Sequence, residues 1–353
     1  MVARGCPLNI CEHKARGESA AARICRPVND VAFVFNPSAQ TGQASRRWDE
    51  ITRLAGELEI AFERFDTRPD GETVALVADL TASRRFRTVV AFGGDGTIHE
   101  VVSGIMAGGE AASLGRDDLP ALAVVPFGTG NNIAKSFGLE PNGASLRRAL
   151  ETIRYGADFR LDLGRIDERW MVDGFSIGVD PAVLNERNVE REKAKRSPLL
   201  RSILRDYNLY AYAFLRVPLR HRNVAARVWL DDEAPLQVDH LTNLIVNNVR
   251  VYAGEFVFEP ESRANDGLLD VILFRGWHEY LSKFISAARI SPVNPRVIDK
   301  LLERRGTVRK ARRIRIETAW PVDAQVDGEM LRRGHTFEVT CVPDALNLKT
   351  PVG

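Results

Sequence analysis

The sequence predicts an α/β part followed by a mainly β part. From Asp30 onward, apolar runs of strand length alternate with amphipathic helices four times in succession. This alternation is typical of a mostly parallel sheet with helices on its faces. Beyond about Phe159 the segments become short, mostly alternate apolar and polar residues, and are separated by turn residues, as in antiparallel strands. A length of 353 residues also favours two domains over one.

Composition limits the broad class of protein. The apolar content of 44% and the charged content of 27% are ordinary for a soluble globular chain. With 49 basic and 47 acidic side chains, no global field favours nucleic acid as a partner. No apolar run approaches the roughly 18 residues that a membrane-spanning helix needs, and the N-terminus lacks the apolar core of a signal peptide. We therefore expect a cytoplasmic protein whose polar residues 1–29 form a flexible extension.

Four predicted β-α units occupy residues 30–158. The first combines the strand VAFVF, the polar loop NPSAQTG and a helix over Ala44–Leu58. The second combines a strand over Ile60–Phe65, the loop DTRPDG and a helix over Glu72–Leu80. The third runs from Arg87 to Gly108 without a gap, and the fourth is LAVVPFGTGNNIAKSFGL. Because ligands of such sheets bind beyond the carboxyl ends of the strands, the four loops should share one rim.

The third unit contains the glycine turn GGDGT at residues 93–97. Its glycines permit positive φ angles and close approach of another molecule, and Asp95 and Thr97 are good helix N-cap types. The helix after it has one apolar stripe, formed by Ile98, Val101, Val102, Ile105 and Met106. A glycine turn that leads into a helix suits a phosphate, although taken alone it could be a tight crossover without ligand. Its convergence with NPSAQTG and PFGTGNN favours a nucleotide phosphate site, and the lysine-containing P-loop motif is absent.

Two helical segments interrupt the predicted antiparallel strands, Pro181–Leu219 and Trp277–Arg304. The part of the first segment around residues 187–222 mixes arginine and lysine with leucine and aromatic residues. Such a mixture could lie on an anionic membrane surface. The alternative is a solvated helix whose apolar side packs on the sheet.

Five motifs, in chain order, carry a family resemblance. FNPSAQTG, GGDGT, PFGTGNN, NDGLLDV at 265–271 and VDGE at 326–329 resemble the bacterial diacylglycerol kinase-like lipid kinases, relatives of the sphingosine kinases. The resemblance extends over roughly Val31–Val342. It implies a nucleotide-binding domain at residues 30–158 and an antiparallel β-sandwich acceptor domain at 159–343, with a cleft between them. Residues 344–353 would return to the first domain.

The resemblance also implies the binding residues. The following residues would surround ATP: Asn36, Pro37, Thr67, Gly93, Gly94, Asp95, Gly96, Thr97, Glu100 and Thr129. In NDGLLDV, the Asp266 carboxylate and carbonyls near Arg263 and Leu268 would hold magnesium, a hard cation suited to oxygen ligands. The spacing alone also fits a simple hairpin, since Asp-Gly between strands is a strong turn signal.

The resemblance places the catalytic carboxylates mostly in VDGE. Glu329 is similar to the general base of the family, with Asp327 beside it, and two neighbouring carboxylates tend to raise one pKa. A hairpin turn is the alternative for this motif as well. Asp180, in FSIGVDPAV, matches an acidic position in the cleft of related lipid kinases and would be an auxiliary orienting or metal-linked group.

Three departures from the family pattern stand out. Asn132 occupies a position where many bacterial relatives have aspartate, which removes a carboxylate next to the nucleotide. A usual glycine triplet is replaced by Tyr252, Ala253 and Gly254, so the lipid side could differ in shape. His99 stands where bacterial members more often carry asparagine and sphingosine kinases often carry histidine.

The predicted activity is transfer of the γ-phosphoryl group of ATP, with magnesium, to a primary hydroxyl of a diacylglycerol-like or sphingoid lipid. The partner would be a lipid substrate at the membrane surface, with peripheral contact at the inner face and no nucleic acid; a homodimer stays open. One alternative is an NAD kinase, which also carries GGDGT, but the expected TGSTAY-like stretch is absent. Another is a non-catalytic nucleotide or lipid sensor, against which Asp266, Asp327 and Glu329 argue.

Overall fold

The structure is a computed structural model that describes residues 30–69, 71–139, 145–195, 221–287 and 308–352. The predicted extension at residues 1–29 lies outside the described residues. So does most of the basic segment, from residue 196 to residue 220, and the prediction of a membrane-contacting helix there concerns residues that are not described.

The first part contains the four predicted parallel strands. Their order in the sheet is β4-β3-β1-β2, and each neighbouring pair is parallel. The strands are β1 Val31–Phe35, β2 Phe62–Asp66, β3 Thr88–Gly93 and β4 Ala121–Pro126. The helices are α1 Ala39–Arg46, α2 Trp48–Glu57, α3 Glu72–Ala82, α4 Asp95–Ala111, α5 Asn132–Ser136 and α6 Ser145–Tyr155. The prediction of successive β-α units is confirmed, because a helix follows each of these parallel strands. Strands β1, β3 and β4 are buried along their whole length, as expected when helices cover a parallel sheet.

The second part is mainly antiparallel. Its strands are β5 Ala157–Ile166, β6 Arg169–Met171, β7 Gly174–Gly178, β8 Val224–Leu230, β9 Leu236–Asn247, β10 Leu269–Arg275, β11 Arg309–Ala311, β12 Arg313–Val326 and β13 Glu329–Thr350. Two described helices accompany them, α7 Val179–Lys195 and α8 Gly276–Ala287. Both β7 and β8 pair with β9 and with β12, so these four strands enclose a common apolar core.

The long strand β13 joins the two parts. It is 22 residues long and begins antiparallel to β12. It then runs antiparallel to β5 and reaches β4, with which it pairs in parallel where Leu348 faces Leu122. The chain therefore returns to the first part at its end, and one sheet of thirteen strands runs through the molecule. This continuity fixes the position of the second part relative to the glycine loops.

The start of α1 differs from the prediction. NPSAQTG reads as a polar loop, yet the helix already begins at Ala39. The Asn36 side-chain oxygen accepts hydrogen bonds from the backbone N–H of Ser38, at 3.0 Å, and from its hydroxyl, at 2.8 Å. This local bonding tightens the turn at the end of β1, so the helix starts earlier than the polar composition indicates.

Helix α4 packs through two faces. Four members of its predicted apolar stripe, Ile98, Val101, Val102 and Ile105, are fully buried. A second face contacts α3 through glycines: a Cβ atom on Gly108 would overlap the Ala78 carbonyl and lie 2.8 Å from the Thr81 Cβ atom. The glycines therefore allow α3 and α4 to approach closely, which the stripe alone does not reveal.

We expect Gly108→Ala to lower the free energy of unfolding by about 1–3 kcal/mol, because the backbone of α3 must move to admit the methyl group. Gly56→Ala in α2 is the matched control, since no atom lies within 4 Å of the added Cβ. That change should stabilise the protein by about 0.5–1 kcal/mol. Urea denaturation measures both, and equal effects of the two substitutions would contradict the packing argument.

Candidate active site

The loops after β1, β3 and β4 meet at one rim, as the sequence predicts. The Asn36 amide donates to the Thr97 hydroxyl at 3.1 Å, which joins the first loop to α4. Backbones of the glycine loops are in direct contact, because a Cβ atom on Gly94 would lie 2.9 Å from the Gly128 Cα atom. Only glycine fits at this crossing. Thr67, after β2, hydrogen-bonds back to the carbonyl of Phe35 and lies at the same edge.

Asp95 does not cap α4, contrary to the prediction. The N-cap residue is Gly94, without a side-chain cap bond. The Asp95 carboxylate instead lies near the backbone N–H groups of Asn131, Asn132 and Ile133. Burial raises the pKa of this carboxyl to about 6, against the lowering effect of those N–H groups, and the nearby Asp327 charge raises it further. Its Oδ1 atom is buried without a hydrogen-bond partner.

Asp327 holds the centre of the site. Its Oδ1 atom accepts backbone N–H bonds from Asp173 at 2.8 Å and Gly174 at 3.0 Å. The Oδ2 atom accepts the N–H of Val172 at 2.8 Å and lies 2.7 Å from Nδ1 of His99. Four donors therefore saturate this carboxylate, and it joins the β12–β13 turn, the β6–β7 connection and α4.

Glu329 is exposed at the start of β13. The predicted carboxylate pair with Asp327 is not what the structure contains, since the Asp327 carboxylate faces backbone N–H groups and His99. Glu329 instead lies near Glu100. Burial raises the pKa of Glu100, the neighbouring Thr73 side chain lowers it, and the Glu329 charge raises it. The base predicted from the sequence thus lies beside α4, at the rim of the glycine turn.

His99 lies between these carboxylates. Burial lowers its pKa, but the hydrogen bond and charge of Asp327 outweigh burial, and Glu329 adds to them, while Arg169 opposes. The net pKa is raised above its ordinary value. The imidazolium form is therefore favoured by the acidic groups of the second part.

The remaining predicted nucleotide residues lie along the same rim. Gly96, in the first turn of α4, and Thr129, in the loop after β4, are exposed, and Pro37 is half-buried beside Asn36. Thr97 and Gly93 are buried against each other, because a Cβ atom on Gly93 would overlap the Thr97 side chain.

Asp180 is placed away from this centre. Its carboxylate accepts hydrogen bonds from the hydroxyls of Tyr252, at 2.6 Å, and Tyr280, at 2.8 Å, and from the Asn243 amide at 2.7 Å. Burial raises its pKa although all three bonds lower it. These neutral donors hold the Asp180 carboxylate beside an aromatic cluster that includes Phe274.

Asp266 does not fit the predicted magnesium loop. One of its oxygens accepts the Lys310 ammonium at 2.6 Å, and the other accepts the N–H of Leu268 at 3.1 Å. Lys310 also lies 3.6 Å from Asp270. The resemblance implies a magnesium ion here, held by Asp266 and by carbonyls near Arg263 and Leu268. In the structure the Lys310 ammonium supplies the positive charge at Asp266 instead. Within the described part of the chain, no group of three or more histidine, cysteine or acidic side chains is arranged to hold a metal.

Known proteins resemble this chain in sequence and in fold. Residues 30–166 match the family model described as "Diacylglycerol kinase catalytic domain". Over these residues the chain is similar to that catalytic domain. The matched range covers the glycine loops and extends through β5, and it confirms the family recognised from the five motifs.

Relatives extend the match beyond this kinase domain. The "Probable lipid kinase YegS" of Shigella flexneri is 26% identical over 267 residues, which are 75% of this chain and 78% of the relative. The protein of that name from Escherichia coli strain K12 / DH10B matches to the same extent. A solved structure from Bacillus anthracis, described as a diacylglycerol kinase, has a TM-score of 0.64 at 15% identity. Another from that organism has a TM-score of 0.68 at 19% identity. Each covers 91% of this chain and 97% of its own and shows the fold.

A set of contacts between the kinase domain and the second part was missed from the sequence. The Asn132 amide donates to the buried carboxylate of Asp173, and its oxygen accepts the N–H of Gly254 at 2.5 Å. The buried Lys135 donates to the Gly254 carbonyl at 2.7 Å and pairs with Glu255 at 3.3 Å. The unusual Asn132 and the Tyr-Ala-Gly replacement were visible in the sequence, but their mutual contact was not.

The helices of the described residues include none with the length and apolarity needed to span a membrane.

We expect the His99–Asp327 pair to stabilise the protein most at low pH. Because the folded-state pKa of His99 is raised, its stabilisation is complete below the unfolded-state pKa of about 6.5 and is lost as the pH rises through the folded-state pKa. Urea denaturation of wild type and His99→Gln, between about pH 5.5 and about pH 8.5, should give a difference of about 1–2 kcal/mol at the acidic end that shrinks at the alkaline end. A difference that grows with pH would contradict this assignment.

Lys310→Met should destabilise the kinase by up to about 1 kcal/mol, because it leaves Asp266 and Asp270 without their cation. Added Mg²⁺ should then raise the thermal midpoint of this variant more than that of wild type. Arg309→Met on the same strand is the control, since Arg309 pairs with Glu233 instead. An equal magnesium response in all three proteins would show that Lys310 does not replace an ion.

Proposed function

We propose that this protein is an ATP-dependent lipid kinase that phosphorylates a primary hydroxyl of a diacylglycerol-like or sphingoid lipid. The lipid kinase activity itself rests on the matched catalytic domain and the lipid kinase relatives. The observation that carries the proposal is the contact between the two halves of the site. His99, just after the GGDGT turn, meets Asp327 and lies near Glu329, more than two hundred residues later in the chain. A nucleotide turn and an exposed carboxylate at one rim suit phosphoryl transfer.

The donor side is formed by the glycine loops. Their backbones cross at Gly94 and Gly128 without side chains between them, and this leaves N–H groups near the start of α4 for the phosphates. Asn36 and Thr97 are hydrogen-bonded to each other and hold the first loop against the second. Thr129, which is exposed, would close over the nucleotide.

The acceptor side is formed by the start of β13. Glu329 is exposed, so it can reach the lipid hydroxyl and accept its proton as the oxygen attacks the γ-phosphorus and ADP leaves. Asp327 is saturated by four donors and positions this turn instead of accepting a proton. Such chemistry needs mainly alignment and charge neutralisation.

We also propose the division into domains: residues 30–158 for the nucleotide, residues 159–343 for the lipid, with the cleft between them, and residues 344–353 as a returning tail. The contact of Gly254 with the PFGTG loop supports it, because a Cβ atom on Gly254 would lie 3.2 Å from the Gly130 Cα atom. In this arrangement the enzyme would take its lipid at the inner face of the membrane, from the cytoplasm.

ATP would enter with magnesium. The orphaned, buried Oδ1 atom of Asp95 fits a hard cation that accompanies the phosphates. The Asp266 loop does not, because Lys310 already neutralises it.

We expect Glu329→Gln to lower phosphate transfer from labelled ATP to lipid micelles by about 100-fold or more, the usual effect of losing a general base. The stability of the variant should be close to that of wild type, because Glu329 is exposed. Glu338→Gln is the matched control: it makes the same change at an exposed position further along β13.

Transfer that survives undiminished in Glu329→Gln would refute the assignment of the base. An equal loss in Glu338→Gln would show that the effect is not specific to the site. A lipid panel with product mass spectrometry then identifies the acceptor.

A further inference from the structure

Asp173 is a buried carboxylate for which neither the motifs nor the resemblance provides a role. It lies in the β6–β7 connection of the second part, and its side chain contacts the Asn132 amide. Its Oδ1 atom is buried without a hydrogen-bond partner, and no ion pair among the described residues includes it. A buried carboxylate in this state costs several kcal/mol unless a proton or a cation compensates it.

The position of Asp173 relates it to the phosphate end of the site. Asn132 donates its side-chain amide to Asp173, and its backbone N–H lies near Asp95, so the two carboxylates lie on either side of one residue. Burial and the charges of Asp95 and Asp327 raise the pKa of Asp173 well above its ordinary value. Of these three carboxylates, Asp327 has donors on both oxygens, whereas Asp95 and Asp173 each retain one orphaned, buried oxygen.

With a triphosphate bound near these two oxygens, a cation would compensate their charge. ATP brings further negative charge, and carboxylates repel it unless positive charge lies between them. Magnesium is usually bound by one or two carboxylates together with substrate phosphates and water. The orphaned oxygens of Asp95 and Asp173 match this donor set.

We propose that Asp173 is the second carboxylate, with Asp95, for the magnesium ion of Mg·ATP, and that it replaces the acid missing at position 132. The inference rests on the proposed kinase function and adds a specific residue to it. The carboxylate comes from the second part of the molecule, whereas an acid at position 132 would come from the nucleotide loop. The proposed site therefore has the same number of acidic groups, but one of them comes from a different part of the chain.

The chemistry of Asn132 follows from this exchange. Its oxygen accepts from Gly254 and its amide donates to Asp173, so both ends of the group are used. Aspartate at position 132 could accept from Gly254 but could not donate to Asp173 in its ionised form. With an acid at position 173, residue 132 must therefore be a neutral donor.

The test is an exchange of the two side chains. Wild type, Asn132→Asp, Asp173→Asn and the double variant are compared for Mg²⁺-dependent binding of a non-hydrolysable ATP analogue by calorimetry, for phosphate transfer to lipid micelles, and for thermal stability. We expect Asp173→Asn to need about tenfold more Mg²⁺ and to lose about 100-fold in transfer rate. Its thermal midpoint should be unchanged or higher, because an uncompensated buried charge is removed.

The double variant has the composition of wild type with the acid moved to the nucleotide loop. It should recover both Mg²⁺ dependence and rate to within about tenfold of wild type. Asn132→Asp alone should be less stable, because it sets a carboxylate against Asp173. If Asp173→Asn does not fold, the double variant tests the proposal. Wild-type Mg²⁺ dependence and transfer rate in that variant would show that one acid at either position suffices.

Unchanged Mg²⁺ dependence in folded Asp173→Asn would overturn the proposal, as would a folded double variant no better than Asp173→Asn. A lower transfer rate with unaltered Mg²⁺-dependent binding would also overturn the cation role. The binding measurement needs no acceptor. Suppose that wild type phosphorylates no lipid, and that the Asp173→Asn variant has lost the Mg²⁺-dependent nucleotide binding of wild type. The proposed lipid kinase function then fails, but the proposed magnesium site at Asp95 and Asp173 stands.

Discussion

The site depends on one carboxylate, that of Asp327. It accepts three backbone N–H groups from the β6–β7 connection and contacts His99 on α4. Together these bonds join two stretches of chain, the β6–β7 connection and α4, to the β12–β13 turn. Breaking any of these bonds leaves a buried donor unpaired. The relative position of α4 and the β12–β13 turn is therefore set by hydrogen bonds, in addition to the continuous strand β13.

The second constraint is the contact between the glycine loops and the Gly254 loop. Backbone meets backbone at Gly94 with Gly128 and at Gly130 with Gly254, where side chains would not fit. Asn132 and Lys135 then satisfy the polar groups that this contact buries. Since both parts contribute to one buried polar network, the unpartnered oxygens of Asp95 and Asp173 are not loose surface groups. They are held in place by neighbours that are fully bonded.

Sequence reasoning predicted what depends on local pattern. Apolar runs identified β1, β3 and β4, and glycine turns placed their loops at one rim, since parallel strands share an orientation. It was wrong about Asp95 as a cap, because the N-cap residue is Gly94 and the carboxylate lies near the backbone N–H groups of Asn131, Asn132 and Ile133. The pairing of Asp266 with Lys310 was also invisible, because it depends on the register of β10 with β11. Asp173 carried no motif at all, and only its burial beside Asn132 indicates a role.

The hairpin and catalytic readings of VDGE turn out to be compatible. Val326 pairs with Glu329 across the turn, and Asp327 and Gly328 have positive φ angles, as a tight hairpin requires. This reversal sends two nearly adjacent carboxylates into opposite environments: Asp327 is buried among donors and Glu329 is exposed. A base must be reachable by the acceptor hydroxyl, whereas the group that positions it must be immobile. The tight turn meets both needs, so a strong hairpin signal here is compatible with the proposed catalytic arrangement.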